Sequence, residues 1–123
     1  MIHKAFAKMI TNLSITGVNA VVNGRPPENV DYPFLVIYQA GEISGTQSAY
    51  AKKLMRVGIY AESYDECYTI AKELYAIVNN NIDVLYDGVY YRFNNITKEN
   101  EIMNIEDDCF GLSIDFMISI ENQ

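Results

Sequence analysis

The stretch DYPFLVIYQAG (residues 31–41) sets five bulky apolar side chains in a row, Phe34 to Tyr38, between Pro33 and Gly41. Side chains alternate across a strand, so Phe34, Val36 and Tyr38 point one way and Leu35 and Ile37 the other. Both faces of this strand are therefore apolar. A domain of helices packed on one face of a sheet covers only one of them, and the stretch predicts an interior strand over 34–42 whose second face needs a further cover.

Upstream, NGRPPENVDYP (23–33) holds all three prolines and reads as a loop, with Tyr32 extended because proline follows it. Before it, GVNAVV (17–22) is β-branched enough for a short strand. Ile2, Ala5, Phe6, Met9, Ile10 and Leu13 recur at helical spacing and form one apolar stripe, with Lys4, Lys8 and Asn12 elsewhere.

Downstream, the small polar SGTQSAY leads into a strand over 52–61, predicted to pair with 34–42 as a long hairpin. Ser63 opens SYDE, a capping-box pattern in which the serine hydroxyl serves the Glu66 amide and Glu66 reaches back. The helix that follows places Cys67, Ala71, Leu74, Tyr75 and Val78 on one face, widened by Ile70 and Ile77, and ends at NNN (79–81). In IDVLYDGVYYRF (82–93), Asp87-Gly88 suits a type I′ turn between two strands, because glycine accepts positive φ without steric cost.

The closing GLSIDFMISI (111–120) alternates Leu112, Ile114, Phe116, Ile118 and Ile120 with Ser113, Asp115, Met117 and Ser119. Burying five large apolar side chains favours folding by about 7 to 15 kcal/mol before entropy is counted. One face of this strand is thus committed to the core. The order α-β-β-β-α-β-β-β predicts an α+β fold, an antiparallel or mixed sheet with both helices on one face, in one domain spanning 1–123.

Composition agrees. The 123 residues are half hydrophobic and a fifth charged, the balance of a globular protein, and a chain of this length buries about two thirds of its unfolded surface. No apolar run approaches the ~20 residues of a membrane helix, and the N-terminal segment lacks the apolar block of a signal peptide, so a cytoplasmic site of synthesis is expected. Cys67 and Cys109 lie far apart without a CxxC pair, which predicts reduced, packed thiols rather than zinc or a disulfide. Residues 94–123 hold seven acids against one base, Lys98, a net −6 of the chain's −7. Such a segment repels phosphate and suits the wall of a passage along which DNA slides without sticking.

Residues for chemistry are sparse. His3 is the only histidine and reads as an exposed helix residue, which leaves no Ser-His-Asp or Cys-His arrangement. The acids of IEDD (105–108) lack the alternation and glycine of a calcium loop and read as a solvated turn. Asp65 and Glu66 are explained by the helix dipole, and the glycines form no phosphate-binding pattern. No catalytic, cofactor-binding or metal-binding residue is expected, and no enzymatic activity.

In 52–61, Met55, Val57 and Ile59 form one face and Leu54, Arg56, Gly58 and Tyr60 a mixed one. A helix-free face that is partly apolar is expected to meet another subunit, and ten tyrosines suit an interface while also suiting strands. The subunit contact is expected at Leu35, Ile37, Leu54, Arg56 and Tyr60.

In its layout the chain resembles the tail terminators, or tail-completion (minor tail) proteins, of long-tailed bacteriophages. The resemblance rests on the N-terminal amphipathic helix, GVNAVV with its proline-bearing loop, YPFLVIY with a downstream glycine, LMRVGIYAES running into the helix YDECYTIAKELYAIV, and the closing GLSIDFMISI. It implies a virion protein at the head-tail junction that forms a ring, commonly a hexamer, which stops tube growth and joins tail to head while DNA passes through the centre without specific binding. Partners would be further copies, the tail tube protein and head-tail connector proteins, with no cofactor and no membrane. Tube or connector contacts are expected on the loop carrying Ser44, Thr46, Gln47, Tyr50, Lys52 and Lys53. Glu99, Glu101, Glu106, Asp107 and Asp108 are expected on a pore-facing or inter-subunit loop, and an exposed hairpin tip serves either segment equally well. The alternatives are another head-tail connector component and a non-viral cytosolic ligand-binding or regulatory α+β domain.

Overall fold

The computed structural model describes residues 2–24, 31–42, 51–106 and 109–122. Helix α1 spans Ile2–Asn12 and α2 spans Tyr64–Leu74, continued by one 3₁₀ turn over Tyr75–Ile77. The strands are β1 (Ala20–Asn23), β2 (Phe34–Glu42), β3 (Ala51–Ala61), β4 (Ile82–Tyr86), β5 (Val89–Glu106) and β6 (Cys109–Asn122). They form one sheet in the order β1-β2-β3-β6-β5-β4. Among the described residues the β1–β2 pair is parallel and the other four pairs are antiparallel. This is the expected α+β fold with a mixed sheet.

The helices occupy one face. The apolar stripe of α1, with Phe6, Met9 and Ile10 buried, and that of α2, with Cys67, Ile70 and Leu74 buried, share a single core with the inward residues of the sheet. Phe6 meets Phe93 edge to face at 5.6 Å between ring centroids, an arrangement favoured by the ring quadrupoles. All five alternating residues of β6 are buried there, as their period demands.

Local signals act where expected. The Ser63 hydroxyl accepts a hydrogen bond from the Glu66 amide at 3.2 Å. The Glu66 carboxylate accepts from the Glu62 amide at 3.4 Å, one residue before the cap. Asp87 and Gly88 both take positive φ, +51° and +78°, closing the tight β4–β5 turn. Cys67 is buried, its thiol donating to the Phe110 carbonyl at 3.4 Å. His3 is half-buried rather than exposed, and burial lowers its pKa, helped by the N-terminal amine and Lys4.

The segment after Phe93 departs from expectation. Residues 94–106 continue β5, pairing with β6 as far as Glu106 opposite Cys109. Two register shifts, between Asn94 and Thr97 and between Lys98 and Asn100, interrupt the ladder. At the first, Asn95 takes φ +50° and Ile96 is driven into the core, its carbonyl accepting from the Asn79 amide at 2.8 Å.

Candidate interaction face

Directly opposed residues of a ladder share a face. Leu35 lies opposite Ile59 and Ile37 opposite Val57; all four belong to the helix-side core, and Leu35 and Ile37 are each 0% exposed. Their expected place on the open face is therefore corrected. α1 covers them. The open face of β2 instead carries Phe34, Val36 and Tyr38, opposite Tyr60, Gly58 and Arg56.

Leu54, Arg56 and Tyr60 do lie on the open face and are half-buried. Phe34 stacks between Tyr32, at 5.5 Å and 22°, and Tyr60, at 5.2 Å and 16°. A Cβ built on Gly58 would come 3.1 Å from Tyr60 Cε2, so the ring lies where a side chain at 58 would stand. With Phe34 at 5% and Val36 at 2% exposure, the β2 part of this face is already packed within the subunit. Exposed or half-exposed surface is left at Tyr38, Leu54, Arg56, Tyr60, Met117 and, on β5, Ile102.

A polar row crosses the middle. Arg56 Nε donates to Asp115 Oδ1 at 2.6 Å and Nη2 to Oδ2 at 3.0 Å, a bidentate pair between directly opposed residues of β3 and β6. Arg56 Nη1 donates to the Tyr38 hydroxyl at 3.4 Å, and the guanidinium carbon lies 5.7 Å from that ring's centroid. The hydrogen bond to Asp115, followed by that to Tyr38, raises the Arg56 pKa. The central charges of the face are thus matched within the subunit.

The acidic residues separate. Glu99 and Glu101 stand in β5, not in a loop. Glu99 is exposed and accepts from the Thr97 hydroxyl at 2.9 Å. Glu101 turns to the helix side, where its Oε2 accepts from the Tyr75 hydroxyl at 2.6 Å and from Lys98 Nζ at 3.1 Å, while Lys98 stands 4.9 Å from the Tyr75 ring centroid. The Tyr75 hydroxyl, with further help from Lys98, holds the Glu101 pKa below the usual carboxylate value against the opposing cost of burial. Burial and Glu101 together raise the Tyr75 pKa. Glu101 is thus a partnered, half-buried group of β5 rather than a loop residue. Glu106 closes β5, and nothing is described of its side chain; Asp107 and Asp108 lie outside the described residues.

Of the expected contact loop, Ser44, Thr46, Gln47 and Tyr50 lie outside the described residues. Lys52 and Lys53 belong to β3, and Lys53 is buried opposite Ile118 rather than set at a loop tip. Among the described residues no group of three or more His, Cys, Asp or Glu could hold a metal ion, and no helix is long and apolar enough to cross a membrane.

No protein-family model matches the sequence, and no curated protein matches it. Solved structures do. The chain superposes on one from a structure described as "Virion of native gene transfer agent (GTA) particle" with a TM-score of 0.67 at 15% identity, covering 96% of each chain. A second solved structure superposes with a TM-score of 0.52, also at 15% identity, over 95% of this chain and 92% of that one. At these identities the likeness establishes a shared fold.

Proposed function

We propose that this chain is a structural protein of a phage-like virion, a tail-terminator-type subunit that assembles with copies of itself into a ring at the head-proximal end of a tail. The ring would be a hexamer, stop tube growth and join tail to head. The observation that carries this reading is the superposition on a chain of a gene transfer agent virion along 96% of both chains. The same order of elements underlies the sequence resemblance to tail terminators.

The open face supports a role in contact rather than catalysis. It offers aromatic and apolar surface around a self-neutralised Arg56–Asp115 pair, a composition suited to protein contacts. A net charge of −7 favours DNA passing through such a ring without adhering to it. Partners would be further copies, the tail tube protein and connector proteins at the head-tail junction.

Light scattering after size exclusion, together with electron microscopy of the protein mixed with tail tubes from the same virion, tests this. Rings in solution or caps at one tube end are expected. A chain that remains a monomer and leaves the tubes bare would overturn the proposal, and binding to the head connector alone would assign it to the other side of the junction.

A further inference from the structure

β5 outruns its outer neighbour. β4 pairs with it only from Val89 to Phe93, and the Ile96 carbonyl accepts from the Asn79 amide at 2.8 Å. Among the described residues no strand lies beside the outer edge of β5 beyond that point, while the ladder to β6 runs unbroken from Asn100 to Glu106. At roughly 3.3 Å per residue this free edge is about 20 Å long, the length of an ordinary strand. Amides along it point outward at every second residue. The Glu101 amide is one of them, since it donates at 3.0 Å to Oδ1 of Asn100, a side chain of its own strand. Two residues further along the unbroken ladder, the Met103 amide shares that direction. At β4, by contrast, Lys8 of α1 donates to the Leu85 carbonyl at 2.7 Å and occupies an acceptor of the β4 backbone.

Tyrosines flank the free edge on its helix side. Tyr75 donates to Glu101, and the rings of Tyr64 and Tyr68 on α2 stand 4.7 Å apart. The bond to Tyr64, with the charge of nearby Glu101 adding to it, raises the Tyr68 pKa to about 12. On the open face the edge presents Ile102, 46% exposed. Both elements beside the edge are acidic. α2 holds Asp65, Glu66 and Glu73 against Lys72, and residues 97–106 hold Glu99, Glu101 and Glu106 against Lys98.

We infer that the outer edge of β5, from Asn100 to Glu106, takes up an extended basic segment of a partner protein as an added strand. Main-chain hydrogen bonds to the outward amides supply affinity, and alternate side chains supply specificity. Those on the helix side are Lys or Arg, set over the tyrosine rings and beside Glu101, where Lys98 already stands 4.9 Å from the Tyr75 centroid. Those on the other side are apolar and cover Ile102. Charge selects the occupant. A second copy brings the wrong chemistry, because its β1 (AVVN) and β4 (IDVLY) carry no base, and β5 against β5 sets acids opposite acids. The inference stands on the strand edge and does not depend on the ring.

Fluorescence anisotropy with a labelled alternating Lys-Val octapeptide and the full chain tests this. The peptide should bind at least tenfold more tightly than its Glu-Val counterpart, which reverses the charge, and than a Lys-Val peptide methylated on every backbone nitrogen, which cannot pair as a strand. Hydrogen exchange at the Met103 amide should slow tenfold or more in the complex. Glu99→Lys and Ile102→Lys, both at exposed side chains, should each weaken binding severalfold while circular dichroism stays that of the wild type. Absence of binding, or equal binding of the methylated peptide with unchanged exchange at Met103, would refute strand addition. Self-association that protects the Met103 amide without peptide would give the edge to a second copy and overturn the basic segment. Ring formation is read separately by light scattering, so this inference and the ring reading fail independently.

Discussion

Arg56 and Asp115 face each other across β3 and β6 and share two hydrogen bonds, yet water reaches them unequally, at 33% exposure for the Arg56 side chain and 7% for Asp115. The asymmetry decides what each truncation costs. Removing Asp115 leaves a guanidinium that can turn to solvent and keeps its Tyr38 contact. Removing Arg56 leaves a buried carboxylate without its charge partner.

Arg56→Ala is therefore expected to destabilise by about 2 to 3 kcal/mol and Asp115→Ala by roughly 1 kcal/mol less, with the double variant close to the worse single one. Urea denaturation of the three variants measures the difference. Equal costs for both single variants would show that the carboxylate finds water when the arginine is gone.

Ile37→Asp should prevent folding, because a charge would enter the core between α1 and the sheet, a change worth roughly 4 kcal/mol or more. Leu54→Asp, on the half-exposed face, should fold and shift the melting temperature by a few degrees at most. Far-ultraviolet circular dichroism separates the two. A folded Ile37→Asp would contradict the burial of β2 under α1.

Gly58→Ala should cost about 1 kcal/mol, since its new methyl group would press on the Tyr60 ring at 3.1 Å and disturb the Tyr60–Phe34 stack. The near-ultraviolet dichroism of the tyrosines should change with it. Combined with Tyr60→Ala the cost should be less than additive, because the ring to be displaced is gone. Full additivity would mean that position 58 is constrained by something other than that ring.

Glu101 links stability to pH. Its folded pKa lies below the ordinary 4.5, chiefly through the Tyr75 hydroxyl, so the stabilisation it contributes is present above that ordinary value and is lost as pH falls through the folded one. Tyr75, whose pKa is raised from the ordinary 10, contributes below pH 10 and loses its share as pH rises toward its folded value. Glu101→Gln should flatten the acid limb of the stability curve, and Tyr75→Phe should flatten the alkaline limb and move the Glu101 titration upward. Urea midpoints across the pH range, with carbon-detected titration of the carboxyls, measure both. An acid limb unchanged in Glu101→Gln would show that other carboxylates dominate it.

Elements whose signal is local were legible in the sequence. The alternation of β6, the apolar stripes of α1 and α2, the Ser63 cap and the Asp87-Gly88 turn each depend on periodicity or backbone preference within a few residues, and each stands where the pattern put it. Residues 94–106 gave no such signal. Their strand is polar, its ladder is twice interrupted, and beyond Phe93 it pairs with β6 alone, so pairing partner rather than composition makes it a strand.

By itself, then, the sequence determined the class of fold, the faces of both helices and the inward face of the last strand, because burial of apolar side chains at a helical or alternating period leaves one choice. Only the tertiary structure decided which side of β2 α1 covers. Both sides are apolar, so periodicity is silent, and the register that sets Leu35 and Ile37 against Ile59 and Val57 settles the matter. The same holds for Glu101, whose partners Tyr75 and Lys98 reach it only once β5 has shifted register at its bulges and the turn after α2 has folded against it.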